Sequence, residues 1–491
     1  MTKRAARLAT GRFLDGLLVA APLVVLALLG AFVLRDPAAH VTASSAPYTD
    51  EAWDLINARN FVLLGRFSTD DWNLHLVNLP YSAVQALVFT VAGVGMAQGR
   101  AVSIAAVALT MAALGWGLRR PLGGQAAVLA ALAYGTSALV LYYGRLAFLE
   151  PMVALGLTIG GLLALRAEAA ASGRWGLVAG LALALAVGTK PSAVFAVAGM
   201  LVGIAAIGRR SPEVRRWLAG AILTISAAGL AWVVLIGVPN QAAIATDLRI
   251  WPAEKILGPL ATMIQRILVF PLHNDHFVLL AAPLIVFGVL GWAASVRLRH
   301  RLDGASRILL GAATGWAIAG LGILALVPYR PNRYEVPLLP ALAILGAIGW
   351  AVVRPRLDRN RRLRSNAMGV VVAGAVALPG LFLFASWMST TSSTLPAIQA
   401  SVRAILPPDA AVQGDLTPAF ALQAPVVALV SHGSTQVNPG DLYVSRGVRW
   451  YLGAAGSAPA WATLHAAAWS DRTVRFCAPW AGQNVCLSQL P

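Results

Sequence analysis

The sequence predicts an all-α polytopic membrane protein of about 11 transmembrane helices, with interfacial helices on one face and a small carboxy-terminal extracytoplasmic α/β or β domain. Three observations predict it. Of 491 residues, 58% are hydrophobic and only 12% charged, with a mean hydropathy of +0.71, more apolar surface than a soluble fold of this size hides. Apolar runs of about 20 residues recur along most of the chain, the length a helix needs to cross hydrocarbon while satisfying its own backbone hydrogen bonds. After residue 389 the runs shorten and are punctuated by Pro, Gly, Asn and Asp.

In chain order, the apolar spans fall near 15–34, 100–118, 124–142, 150–166, 174–190, 191–208, 217–238, 276–296, 308–328, 334–353 and 367–388. The first begins with a basic cluster, as a signal peptide would, but its length and the absence of a nearby small-residue cleavage site favour an anchor. Residues 81–97 (YSAVQALVFTVAGVGMA) are shorter and interrupted by Gly93 and Gly95, so they are read as interfacial, within a first extracytoplasmic loop of 35–99. Within that loop "DEAWDLINARNFVLLGRF" spaces Trp53, Ile56, Phe61 and Leu64 at near-helical intervals, which predicts an amphipathic helix on the membrane surface.

Charge tests the assignment, because Lys and Arg near helix ends collect on the cytoplasmic side. With eleven spans, 22 of the 38 basic residues but five of the 20 acids fall on the side of the amino terminus. The formal net charge of +18 is therefore membrane topology and requires no nucleic acid. The same parity places the domain at 389–491 outside, beyond a transmembrane domain at 1–388. Its Cys477 and Cys486 are the only cysteines and flank a turn-like "APWAGQNV"; an oxidising exterior favours a disulfide.

The candidate site residues share the exterior side. Asp50, Glu51 and Asp54 crowd into five positions after the first span. Helix-terminal capping accounts for one carboxylate. Glu150 stands at the mouth of the fourth span, followed by Pro151 and preceded by Arg145; an ionisable group there marks a functional site or an ion pair with Arg145. "VPYRPNRYEVPLLP" supplies Arg330, Arg333 and Tyr334, either phosphate contacts or interfacial anchors, and "GTKPSA" supplies Lys190 in a tight turn. Arg59 is a further cation on this side. His75, His273 and His276 are candidates for the substrate pocket; with Asp275 they also offer a possible divalent-metal site, although no cofactor is expected to be required.

An Asp-Glu pair after the first span, an Arg-x4-acid-Pro-Met stretch (Arg145 to Met152), a Thr-Lys turn (Thr189-Lys190) and an Arg-Tyr-x-x-Pro-x-x-Pro helix entry (Arg333 to Pro340), in this order and on one side, resemble the glycosyltransferase C fold. Within it the protein O-mannosyltransferases and the lipid A aminoarabinose transferases are similar. The resemblance implies a hexosyl- or pentosyltransferase of the cytoplasmic membrane that uses a polyprenyl-phosphate-linked sugar. It implies Asp50 as catalytic base and Glu150 where relatives usually carry aspartate. Before the interfacial helix, relatives often show a basic residue or histidine and then Pro-Pro; "HLVNLPYS" departs from that pattern.

The residue types fit this chemistry on their own terms. A carboxylate suits proton removal from an attacking hydroxyl, with Asp50, Glu150 and Glu51 as candidates. Cations suit a leaving phosphate, with Lys190, Arg330, Arg333, Tyr334, Arg145 and Arg59 around it. The resemblance implies an acceptor hydroxyl on a lipid, polysaccharide or protein. The alternatives are a lipid or sugar transporter or flippase and a noncatalytic binder of lipid-linked sugar. Transporters place charge near the bilayer midplane, whereas charges here gather at span ends.

Overall fold

The computed structural model describes residues 3–37, 51–70, 78–242, 244–245, 275–327, 331–360, 362–430, 441–480 and 483–491. The membrane part consists of α1 (Lys3–Ala31), α2 (Ile56–Leu64), α3 (Leu79–Ala92), α4 (Met96–Leu122), α5 (Gly124–Gly135), α6 (Ala138–Gly144), α7 (Glu150–Leu163), α8 (Ser172–Thr189), α9 (Ala193–Gly208), α10 (Pro212–Trp232), α11 (Asp275–Arg297), α12 (Gly304–Leu326), α13 (Leu339–Asn360) and α14 (Arg362–Thr390). Among the described residues, eight helices are long and apolar enough to cross a membrane, and α5 with α6, bent by 57°, makes a ninth. The two remaining expected spans are helical but short: α7 has 14 residues and α9 has 16. Side chains such as Leu230 on α10 and Val370 and Phe382 on α14 point outward and exposed, as lipid-facing positions do.

Local sequence explains the breaks. At the α5–α6 bend, the Thr136 hydroxyl donates to the Leu132 carbonyl at 2.6 Å, and a Cβ at Gly380 of α14 would meet the Thr136 oxygen at 1.9 Å. The bend thus receives a neighbouring backbone. The pair α9–α12 touches backbone to backbone: a Cβ at Gly203 would lie 2.0 Å from the Gly311 oxygen, and one at Gly199 2.2 Å from the Gly315 oxygen. Small residues let membrane helices approach this closely, and the gain is van der Waals contact.

The tail is an α/β domain. After α15 (Leu395–Ile405), five strands form one mixed sheet in the order β2-β1-β3-β5-β4: β1 Ala411–Gln413, β2 Val427–Leu429, β3 Trp450–Ala454, β4 Thr473–Trp480 and β5 Gln483–Gln489. β1 pairs in parallel with β2 and β3, whereas β5 pairs antiparallel with β3 and β4. Cys477 and Cys486 face each other across β4 and β5 and form a disulfide.

The domain shares its core with the first loop. Ala52, Leu55 and Ala58 pack with Tyr81 and Phe89 of α3 and with Ile398, Val402, Phe420 and Trp480 of the tail. The segment expected to lie on the membrane surface is therefore roofed by the tail, with Ile56 to Asn60 buried and Phe61 exposed. Of the expected apolar face, Ile56 is buried, Trp53 and Leu64 are half-buried and Phe61 is exposed, because the tail covers the segment that carries Asn57, Arg59 and Asn60.

Candidate active site

The site forms where three helix ends meet. Glu150 opens α7 with Pro151 behind it, an arrangement that suits a first helical turn. Lys190 caps α8 in extended conformation (φ −150°, ψ 114°), where Pro191 disfavours a further helical residue. Arg333 and Tyr334 lie on the 3-10 helix Asn332–Leu338 that leads into α13.

These four residues converge. Lys190 Nζ donates to Glu150 Oε1 at 2.5 Å, and Arg333 Nε stands 3.4 Å from the same oxygen. The ammonium sits 3.5 Å from the centroid of the Tyr334 ring, and the Arg333 guanidinium lies 5.2 Å from the centroids of both Phe148 and Tyr334. Both rings thus present negative faces to cations. Glu150 is 1% exposed, and its Oε2 is buried with no hydrogen-bond partner among the described residues. One carboxylate between two cations leaves net positive charge. Glu150, Lys190 and Tyr334 also line a cavity of about 400 Å³ whose remaining walls are mostly apolar, including Leu157, Phe195, Ile323 and Leu338. Such a site suits a ligand with an anionic head and a hydrocarbon tail.

Three other expected site residues are engaged elsewhere. Both oxygens of Glu51 are held by Arg100: Nε donates to Oε1 at 2.5 Å and Nη2 to Oε2 at 3.0 Å, while the Ala147 amide adds a bond to Oε1 at 3.0 Å. This bidentate buried pair ties the first loop to α4, which corrects the expectation of a free catalytic carboxylate. Arg145 does not pair with Glu150; it donates to the carbonyls of Arg35 and Asp36 at 2.7 and 2.9 Å, fastening the turn after α1. Arg59 donates to the carbonyls of Leu422, Ala424 and Val426 and lies 3.6 Å from Asp70. Burial pulls its proton affinity down, with Asp70 opposing, to about 10, so it stays charged at neutral pH and fastens the tail domain to α2. Neither arginine reaches the cluster around Glu150.

Asp50, His75, His273 and Arg330 lie outside the described residues, as does the side chain of His276. Among the described residues no group of three His, Cys, Asp or Glu is placed to hold a metal ion. Sequence reasoning missed Arg100, Asp36 and Asp70. The Asp36 carboxylate accepts from Ser392 Oγ and from the hydroxyl and amide of Thr394, and Asp70 accepts from the Ala428 amide. Arg100 carried a readable signal, since an arginine in the second turn of a 27-residue apolar helix requires a partner.

A polytopic membrane protein with paired ions at helix mouths, an apolar cavity beneath them and a roofing α/β domain has the architecture of the glycosyltransferase C fold. Comparisons with known proteins support this. Residues 79–238, a minority of the chain, match the family model described as dolichyl-phosphate-mannose-protein mannosyltransferase. A comparison with curated proteins finds no significant match. Among solved structures, ArnT from Cupriavidus metallidurans bound to undecaprenyl phosphate aligns with a TM-score of 0.66 at 17% identity, covering 96% of this chain and 97% of that one. The oligosaccharyltransferase AglB from Archaeoglobus fulgidus aligns with a TM-score of 0.54 at 14% identity, covering 90% of this chain and 69% of its own. The arabinofuranosyltransferase AftD from Mycobacteria gives 0.55 at 14%, over 96% and 40%. The chain thus has the glycosyltransferase C fold.

Proposed function

We propose that the chain is an inverting glycosyltransferase that moves a sugar from a polyprenyl-phosphate carrier to a hydroxyl of a lipid, polysaccharide or protein outside the cytoplasmic membrane. One observation carries this reading: Lys190, Arg333 and Tyr334 gather on Glu150 at the end of an apolar cavity of about 400 Å³. The family model matching residues 79–238 names a dolichyl-phosphate-mannose donor, and the structurally similar ArnT holds undecaprenyl phosphate. Both support a lipid phosphate as the ligand class.

In the proposed reaction the acceptor hydroxyl attacks the anomeric carbon from the face opposite the phosphate. Its proton passes to Asp50, and the bond from the anomeric carbon to the phosphate oxygen breaks with its electron pair. The free lipid phosphate then carries an additional negative charge. Lys190 and Arg333 stabilise that charge, fixed in place before it develops. Glu150 holds both cations at the cavity mouth and offsets their mutual repulsion when no phosphate is bound.

The test is incubation of the purified protein with a panel of labelled polyprenyl-phosphate sugars and hydroxyl acceptors, with release of free lipid phosphate as the readout. Turnover is expected with at least one donor. Lys190→Gln should lower the rate on the order of 100-fold, the loss typical of one preorganised charge-stabilising group. Asp50→Asn should abolish transfer and leave donor binding intact. Absence of turnover with every donor, or wild-type rates in both variants, would refute the reading.

A further inference from the structure

A further cavity, with arginines in its lining, lies at the opposite end of the bundle. Arg100 and Arg119 both sit on α4, and at 1.5 Å per residue they stand roughly 28 Å apart along its axis. α7 likewise starts at Glu150 and ends at Leu163, with roughly 20 Å between its ends. Between the far ends of these helices opens a cavity of about 710 Å³. Trp116, Ile159, Leu162 and Leu163 form its apolar wall, and Arg119, Arg120 and Arg166 stand at its rim.

The charges at this rim are unbalanced. Arg119 is occupied, donating to Asp15 at 2.6 Å and lying 5.5 Å from the Trp116 ring centroid. Arg166 lies 5.7 Å from the centroid of Trp175. Among the described residues, neither Arg120 nor Arg166 has an acid within ion-pair distance. The nearby Glu168 carboxylate rests against Gly304 at the amino end of α12. Two exposed arginines therefore stand beside an apolar wall at the ends of two apolar helices.

We propose that this cavity binds an anionic phospholipid, with the phosphodiester between Arg120 and Arg166 and an acyl chain along Trp116, Ile159 and Leu162. The committed occupant is a lipid because both halves of the site are then used. Free phosphate would leave the apolar wall unfilled, and a zwitterionic lipid would bring its own cation against the arginines. Basic pockets between membrane helices recognise acidic headgroups in this way. The site lies apart from the Glu150 cluster, so its occupancy does not depend on transfer activity.

The experiment is native mass spectrometry of the full-length protein in detergent, titrated with phosphatidylglycerol or with phosphatidylcholine of the same chains. Retention of phosphatidylglycerol is expected, with roughly 10- to 30-fold tighter apparent binding than phosphatidylcholine, as two arginines near an anionic group imply. Arg120→Ala combined with Arg166→Ala should remove most of that preference, whereas Arg210→Ala, which does not line this cavity, should not. Millimolar inorganic phosphate should fail to displace the lipid. Equal retention of the two lipids by the wild-type protein would overturn the proposal whatever the variants do. So would an undiminished preference in the double variant, or displacement by phosphate, which would mark an anion site only.

Discussion

Replacing Arg100 with methionine tests whether Glu51 is a structural partner. In the wild-type protein Arg100 bonds both oxygens of Glu51 and donates to the carbonyls of Val33 and Arg35 at 2.7 and 2.8 Å. Arg100→Met strands a carboxylate that is 2% exposed, leaving it only the Ala147 amide. Breaking a buried pair in this way costs about 3–5 kcal/mol. The Arg35 carbonyl keeps Arg145, but the Val33 carbonyl loses its side-chain donor, at ~1–3 kcal/mol more. The expected loss for the single variant is therefore about 4–8 kcal/mol. In Glu51→Leu/Arg100→Met no charge is stranded, and most of the first contribution should return. The assay is unfolding of the purified variants in mixed dodecyl maltoside–SDS micelles, read as a double-mutant cycle. If the double variant were no more stable than Arg100→Met, or if the single variant unfolded like wild type, the buried-pair account would be wrong.

Three further outcomes follow from individual contacts. Arg59→Lys keeps the charge but loses the planar fork that reaches three carbonyls of the tail; limited proteolysis should cut the tail domain faster, and an unchanged rate would show that the domain does not depend on this contact. Gly203→Ala sets a Cβ 2.0 Å from the Gly311 oxygen, whereas Gly16→Ala meets nothing within 4 Å; the first should destabilise by ~1–3 kcal/mol in the same unfolding assay and the second should be near neutral. Asp441, hydrogen-bonded first of all by His465, is held below the usual carboxylate range. Its stabilising effect is therefore present above the ordinary aspartate value and is lost as pH falls through the lowered one. Protection factors of the amides around Leu442–Ser445, corrected for intrinsic exchange, should fall in acid, and His465→Leu should weaken that dependence.

The span pattern was legible because each apolar run must satisfy its own backbone in hydrocarbon, so length and composition alone mark it. Glu150, Lys190, Arg333 and Tyr334 were legible as types at helix mouths, and they do meet. Arg145 and Arg59 stood behind them as candidates by type and sidedness, and they bond carbonyls from distant parts of the chain. A guanidinium with five donors finds whatever acceptors the fold brings to it, and sequence spacing does not encode those meetings. Glu51 went astray for the same reason, its partner lying 49 positions away.

By itself, then, the amino-acid sequence determined that this is a polytopic membrane protein, roughly where its apolar helices run, and which charged side chains gather near their ends. These properties follow from local solvation, which each segment settles against lipid or water. Tertiary structure alone decided which carboxylate meets which cation, that the tail domain packs over the first loop, and that one cavity opens at Glu150 and Lys190 and another at Arg119, Arg120 and Arg166. Those depend on contacts between residues tens to hundreds of positions apart, which arise only when the helices have packed.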